Sequence, residues 1–151
     1  TLFRSGGGIL NSYNLSMTHN KYFKSVVVHE FGHSFAGLAD EYAYEQESLN
    51  MYPTDIEPWE ANITTMVNFD NKWKKMVKKG TPLPTPQPTD LDTPCANASK
   101  WKVGAYEPAG YSQHGDYRAF PDCRMRTNVK PDFCPVCQDA IKKVITFYTG
   151  E

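Results

Sequence analysis

The sequence lacks long apolar runs and has no excess of one charge. No stretch of about 18 consecutive apolar residues is present, so no transmembrane helix is predicted. The 16 basic and 17 acidic residues give a formal charge of -1, and such a chain has no overall positive field that would attract nucleic acid. The first residues, 1–8, do not have the pattern of a signal peptide. Membrane insertion and nucleic-acid binding are therefore not expected.

Hydrophobic residues make up 40% of the 151 residues and aromatic residues 13%, which is enough for a sizeable core. This length fits one domain, and we expect residues 1–151 to form a single catalytic domain. The sequence begins with Thr1 and not with Met, which suggests a fragment or processed product, the C-terminal part of a larger protein.

Cysteine is scarce, and its four positions are Cys95, Cys123, Cys134 and Cys137. An even number in a loop-rich chain is compatible with disulfides formed in an oxidising compartment. A structural zinc site is the alternative, but such a site would need two C-x-x-C pairs, and only one is present. Glycosylation motifs begin at Asn14, Asn62 and Asn97. Disulfides and these motifs are both compatible with an exported protein.

The most informative stretch runs from Val26 to Tyr42 and contains the pattern H-E-x-x-H. On a helix, His29 and His33 are four residues apart and lie on one face, where both imidazoles can bind one metal ion. Glu30 lies about 100° around the helix, near a metal-bound water without being a ligand. The pattern predicts a hydrolytic zinc site with Glu30 as general base.

A catalytic zinc ion usually has three protein ligands and a fourth position for water. Gly37 can end the helix and turn the chain back, so the predicted third ligand is Asp40, three residues later. The alternatives are Glu41, Glu107 and His114. Tyr111 and His114 are also candidates for a donor that stabilises the oxyanion, because they lie in a loop that could face the cleft.

Hydrophobic periodicity predicts the elements around this site. Residues 9–18 are predicted to form a strand that could pair with an extended peptide, although an ordinary sheet strand fits equally well. A helix is predicted from about Asn20 or Phe23 to Ala36. Its apolar stripe lies away from the histidines and is predicted to be buried: Val27, Val28, Phe31 and Phe35. Two further amphipathic helices are predicted, over residues 69–79 and from Pro135 to about Gly150.

Further segments accompany the histidine motif along nearly the whole chain. They are Glu57-Pro58-Trp59-Glu60, Asn62-Ile63-Thr64, Tyr106-Glu107, Ala109-Gly110-Tyr111, Tyr117-Arg118, Asp122-Cys123-Arg124-Met125 and Phe133-Cys134-Pro135-Val136-Cys137. With residues 26–42, they resemble the bacterial IgA-peptidase family of zinc metallopeptidases. The resemblance implies an α+β, metzincin-like catalytic domain with a mixed sheet edge, a zinc-binding helix, a Met-turn and a C-terminal helix. It also implies one catalytic zinc ion, endopeptidase activity on protein or peptide substrates, and a secreted, periplasmic or cell-surface location.

By this resemblance Met125 corresponds to the methionine of the turn beneath the zinc ion. A disulfide from Cys123 to Cys134 or Cys137 would then join this turn to the last helix, with an estimated contribution of about 3 kcal/mol.

The metzincin pattern H-E-x-x-H-x-x-G-x-x-H is not fully kept. Ala36 and Ala39 hold the positions of its glycine and third ligand, whereas Gly37 and Asp40 keep the same spacing one residue later. Metzincins also place several strands before the zinc helix, and only 28 residues precede His29. We therefore expect an upstream segment or another chain to complete the sheet, and apolar surface to be exposed without it.

Two other hypotheses belong to different classes of protein. One is a non-catalytic binding module on a zincin scaffold; Glu30 argues against it, because a purely structural metal site needs no general base. The other is a disulfide-stapled structural domain in which the histidines belong to the core.

Overall fold

A computed structural model describes residues 7–19, 21–44, 51–89, 98–127 and 132–151. Within these ranges there are two helices and four strands of two residues each. In chain order they are β1 (Gly7–Gly8), β2 (Asn14–Leu15), α1 (Phe23–Ala36), β3 (Ile63–Thr64), β4 (Tyr117–Arg118) and α2 (Pro135–Thr149). Much of the remainder is irregular, with short 3-10 turns. The predicted α+β class is confirmed, on a small scale.

Each of the two sheets is one antiparallel pair. Gly7 of β1 lies opposite Leu15 of β2, and Ile63 of β3 lies opposite Arg118 of β4. The prediction of a single strand over residues 9–18 was wrong, because this segment turns back on itself as a hairpin. Asn11 lies in the turn with a φ of 55°, and its N–H donates to the carbonyl of Ser34 at 2.8 Å. This bond holds the hairpin on α1.

Helix α1 begins at Phe23 and ends at Ala36, as predicted. Gly37 follows with a left-handed φ of 59°, and its N–H donates to the carbonyl of His33 at 3.0 Å. A Cβ at Gly37 would lie 2.7 Å from the Trp59 ring. Both the backbone conformation and the close aromatic neighbour therefore require glycine where the chain leaves the helix.

The orientation of α1 differs from the prediction. Val28 is 38% exposed and Phe31 is 41% exposed, whereas the buried residues of the helix are Glu30 and Gly32. The helix therefore turns its histidine side toward the rest of the chain. The reason is that residues 38–41 and the loop around Met125 pack on that side.

The main core lies between the first half of α2, the loop 119–125 and the segment 69–77. Its buried members are Leu38, Phe69, Trp73, Ala119, Cys123, Met125, Cys134, Val136, Cys137 and Ala140. The helix predicted over residues 69–79 is instead two 3-10 turns, Phe69–Asn71 and Lys74–Met76. Lys72 interrupts them with a non-helical ψ of -141°. Trp73 is buried as predicted, and its indole N–H donates to the carbonyl of Gly104 at 2.6 Å.

Helix α2 has the predicted limits, with Pro135 in its first turn and Gly150 after its end at a φ of 74°. Only the first half of its apolar face is buried, because Ile145 and Tyr148 are exposed. The hairpin also exposes apolar side chains, including Ile9 and Leu10. In the ranges described, neither α1 nor α2 is long and apolar enough to cross a membrane.

Candidate metal centre

His29, His33 and Asp40 converge at the end of α1. The two Nε2 atoms are 3.0 Å apart, and Asp40 Oδ1 lies 2.9 Å from His29 Nε2 and 3.4 Å from His33 Nε2. Zinc bonded to such atoms at about 2.0–2.1 Å in tetrahedral geometry would separate neighbouring ligand atoms by about 3.3 Å. The three side chains therefore fit the ligand set of one metal ion.

The other nitrogen of each imidazole bonds to a backbone carbonyl. His29 Nδ1 lies 2.9 Å from the oxygen of Arg124, and His33 Nδ1 lies 2.5 Å from the oxygen of Leu38. A carbonyl oxygen can only accept, so each Nδ1 carries the proton. This leaves both Nε2 lone pairs directed at the point where Asp40 also arrives, which is the arrangement that metal-binding histidines adopt.

Asp40 brings an ionised oxygen to this point. Burial alone would raise its pKa, but the adjacent imidazoles in their protonated form and the hydroxyl of Tyr111 outweigh burial and hold the pKa of Asp40 well below its usual range. Its Oδ1 is buried, and its polar neighbours are the two Nε2 atoms at 2.9 and 3.4 Å, which donate no hydrogen bond to it when each imidazole carries its proton on Nδ1. Buried polar atoms are rarely left in that condition. A cation bound between Oδ1 and the two imidazoles would satisfy it.

Glu30 is 6% exposed and lies beside this group. Burial raises the pKa of its carboxyl, while the charges of His29 and His33 oppose the shift. Glu30 and the three candidate ligands line one open cavity of about 480 Å³. Gly7 and Gly8 of β1 line the same cavity, and a Cβ at Gly8 would lie 2.5 Å from the carbonyl oxygen of Glu30. The second glycine thus lets the hairpin lie directly against the helix.

Tyr111 reaches the site from a distant part of the chain. Its hydroxyl donates a hydrogen bond to Asp40 Oδ2, and its ring stacks on that of Tyr44 at 5.9 Å. The same hydroxyl therefore orients the carboxylate of Asp40. Its predicted part in stabilising an oxyanion stays a prediction.

The three alternatives to Asp40 lie elsewhere. His114 is 88% exposed and contacts the carboxylate of Glu107 at 3.2 Å, outside the cavity. Glu107 also accepts a hydrogen bond from the N–H of Gly115. Glu41 is fully buried in a different cluster. Of the four carboxylate and imidazole candidates for the third position, Asp40 is the one that lies with the histidines.

Met125 is fully buried directly beneath α1. A Cβ at Gly32 would lie 2.6 Å from Met125 Sδ, so the glycine that precedes His33 makes room for this methionine. The carbonyl of Met125 also accepts the N–H of Glu41 at 2.9 Å. Met125 thus packs against the helix that carries the histidines, while its role as the methionine of a turn beneath a zinc ion stays a prediction.

The predicted disulfide from Cys123 to the last helix is not present in the structure. Cys123, Cys134 and Cys137 are buried free thiols, and Cys137 Sγ lies 3.7 Å from Cys123 Sγ and 3.5 Å from Cys134 Sγ. A disulfide requires about 2.05 Å. Cys95 lies outside the described residues. The three thiols instead surround Glu41, whose Oε1 is 3.3 Å from Cys137 Sγ.

Sequence reasoning missed the part that Asn62 plays. This residue is fully buried, its amide bonds to both the N–H and the carbonyl of Ala39, and its Nδ2 also donates to Glu41 Oε1 at 2.9 Å. The glycosylation motif at Asn62 is therefore inaccessible in the folded chain. Asn14 is exposed, and Asn97 lies outside the described residues.

Fold and site together define a small α+β protein with a histidine–histidine–aspartate group in an open cavity. The family model described as IgA Peptidase M64 matches residues 4–100 and 95–145. The chain therefore belongs to the M64 family of IgA peptidases, as the resemblance implied, and it is a peptidase. Peptidases of this family are metallopeptidases. No curated protein matches the chain significantly.

Proposed function

We propose that the protein is a zinc-dependent endopeptidase whose single catalytic zinc ion is held by His29, His33 and Asp40. The observation that carries this proposal is the convergence of two Nε2 atoms and one carboxylate oxygen, all within 3.4 Å, in a cavity open to solvent. Nitrogen and oxygen ligands suit zinc, and three protein ligands leave a fourth position free, as in catalytic sites.

Glu30 is the proposed general base. Zinc, when bound, supplies Lewis acidity, which polarises a peptide carbonyl and makes water easier to deprotonate. Glu30 takes the proton of the attacking water and delivers it to the leaving amine. Tyr111 holds the carboxylate of Asp40 in place through its hydroxyl. To donate to the developing oxyanion, the same hydroxyl would have to leave Asp40 during the reaction.

The cavity suits an extended peptide substrate. Strand β1 lines it, and Gly7 and Gly8 carry no side chains that would keep a second backbone away. Such an edge can pair with an extended segment through main-chain hydrogen bonds. This supports cleavage within a chain, and protein or peptide as the substrate class.

Location outside the cytoplasm is proposed from the family resemblance. Because the three described cysteines are free thiols, disulfides give no support to a location outside the cytoplasm. A secreted, periplasmic or cell-surface enzyme of this kind would meet its substrates in the same compartment.

The decisive experiment compares zinc content and peptide-library cleavage in the wild type and in Glu30→Gln. The variant should keep its metal and lose cleavage by about 10²-fold or more, since it lacks only the proton acceptor. Glu107→Gln is the matched control, because this carboxylate lies outside the cavity, and it should cleave like the wild type. Equal cleavage by Glu30→Gln would overturn the mechanism. A wild type that holds zinc but cleaves no library peptide would favour the non-catalytic binding module.

A further inference from the structure

We propose that Cys123, Cys134, Cys137 and Glu41 form a second zinc site, which is structural and separate from the proposed catalytic centre. All four residues are buried, and one ligand atom from each lies within 4.8 Å of the others. Four protein ligands with no access to solvent are typical of structural zinc, whereas a catalytic site keeps one position open.

The three distances from Cys137 Sγ match those of a metal-centred tetrahedron, and the other pairs of ligand atoms lie within 4.8 Å. Cys137 Sγ lies 3.7 Å from Cys123 Sγ, 3.5 Å from Cys134 Sγ and 3.3 Å from Glu41 Oε1. Zinc with bonds of about 2.3 Å to sulfur and about 2.0 Å to oxygen would place sulfurs about 3.8 Å apart and sulfur about 3.5 Å from oxygen. Cys137 Sγ is thus spaced from its three neighbours as a ligand of one ion would be.

The surroundings of Glu41 lack a hydrogen-bonded positive partner for its carboxylate among the described residues. Its side chain is fully buried, Oε1 accepts a hydrogen bond from Asn62, and Oε2 has no hydrogen-bond partner among the described residues. Arg118, a buried cation nearby, directs its hydrogen bonds elsewhere, to Pro108, Pro121 and Gln87. A buried carboxylate surrounded by three sulfurs is costly without a positive partner. A divalent ion at the centre would supply that partner.

The start of α2 is suited to hold thiolates. Cys134 is the N-cap residue of the helix and Cys137 lies in its first turn, where the helix dipole favours negative charge. The N–H of Cys134 also donates to Cys123 Sγ at 3.1 Å. An ion bound here would tie the start of α2 to the Cys123–Met125 loop and to the residue next to Asp40.

The test uses the full chain, purified after expression with zinc, and measures metal content and X-ray absorption at the zinc edge. The wild type should hold two zinc ions per chain. The His29→Ala/His33→Ala double variant, which leaves the cysteines intact, should hold one, with sulfur neighbours at about 2.3 Å. This variant tests the second site independently of the proposed function, because the zinc–sulfur signal does not require an ion at the catalytic centre.

Complementary variants remove ligands of the second site. Cys134→Ser/Cys137→Ser should lose the sulfur-ligated zinc. Glu41→Gln keeps the three thiols and its volume, and it should bind this zinc at least about tenfold more weakly in a chelator competition. A histidine double variant that holds no zinc, or holds zinc without sulfur neighbours, would overturn the proposal. So would mass spectrometry of the non-reduced wild type that finds any of these three cysteines in a disulfide.

Discussion

Asp40 and Glu41 are neighbours in the chain, yet their carboxylates lie in two different clusters. Asp40 Oδ1 is 2.9 Å from His29 Nε2, whereas Glu41 Oε1 is 3.3 Å from Cys137 Sγ. Residues 37–44 belong to no helix, so neighbouring side chains are not held on one helical face and can point to opposite sides. The N–H of Glu41 is fixed by the carbonyl of Met125 at 2.9 Å. Whatever positions Glu41 therefore also positions the proposed third ligand of the catalytic centre.

Asn62 holds the segment that carries Asp40 and Glu41 through hydrogen bonds to Ala39 and Glu41. Asn62→Ala should destabilise the fold by about 2–4 kcal/mol, because these bonds are lost and their buried partners stay unsatisfied. Urea unfolding would measure the change. Asn68→Ala is the matched control, since Asn68 is exposed and its side chain does not cap the turn that follows; its effect should stay within about 0.5 kcal/mol. Equal effects of the two substitutions would show that Asn62 does not hold the segment.

Tyr111 should tune the affinity of the proposed catalytic centre for zinc. Tyr111→Phe removes the hydroxyl that donates to Asp40 Oδ2 but keeps the ring, so zinc affinity at this centre should fall by about 10-fold to 100-fold. Competition with a fluorescent zinc chelator would measure this. Tyr44→Phe is the control, because Tyr44 stacks on the same ring and is half exposed. If both variants bind zinc like the wild type, the hydroxyl does not position Asp40.

Local rules explain what the sequence could predict. The end of α1 at Gly37 and both limits of α2 follow from glycine and proline preferences that act over one or two residues. The meeting of His29 and His33 follows from helical geometry. The approach of Asp40 to the two histidines was predictable because one glycine turn brings the chain back toward the end of the same helix; its role as a metal ligand stays a prediction.

Features that depend on distant contacts were not predictable in this way. The apolar stripe of α1 gave the wrong buried face, because the loop around Met125 packs on the histidine side instead. Glu41 lies in a cluster with three cysteines, of which Cys137 is 96 residues away along the chain, and no spacing rule connects them. Counting C-x-x-C pairs also missed the cluster that Glu41 forms with Cys123, Cys134 and Cys137.

The contact with Met125 should make glycine necessary at position 32 for full stability. Alanine in a helix interior is normally about 1 kcal/mol more favourable than glycine. Here a Cβ would lie 2.6 Å from Met125 Sδ and 3.1 Å from the Phe133 ring, and Met125 is fully buried. Gly32→Ala should therefore destabilise the fold by about 1–3 kcal/mol in thermal or urea unfolding.

A double-mutant cycle separates this clash from other effects of the substitution. Met125→Ala alone should also be destabilising, because it leaves a cavity. The double variant should lose less stability than the sum of the two single variants, since the smaller residue at 125 makes room for the new methyl group. A stabilising Gly32→Ala would contradict the contact.

Asp116 should make stability depend on pH. It is 1% exposed, its Oδ1 has no hydrogen-bond partner among the described residues, and burial raises its pKa from 3.8 to about 6. The folded state therefore binds the proton more tightly than the unfolded state. Below about pH 4 both states are protonated and the group costs nothing, whereas above about pH 6 the folded chain carries a buried charge.

Asp116→Asn removes that charge and should raise stability above pH 6 by an amount of order 1–3 kcal/mol, with the gain fading as pH falls from about 6 to about 4. Thermal unfolding across this range would measure it. Asp55→Asn is the control, because Asp55 is exposed. Comparing the stability of the two variants at each pH cancels acid effects common to both, including any loss of metal. A gain that persists unchanged at pH 4 would mean that the substitution acts through packing and not through the buried charge.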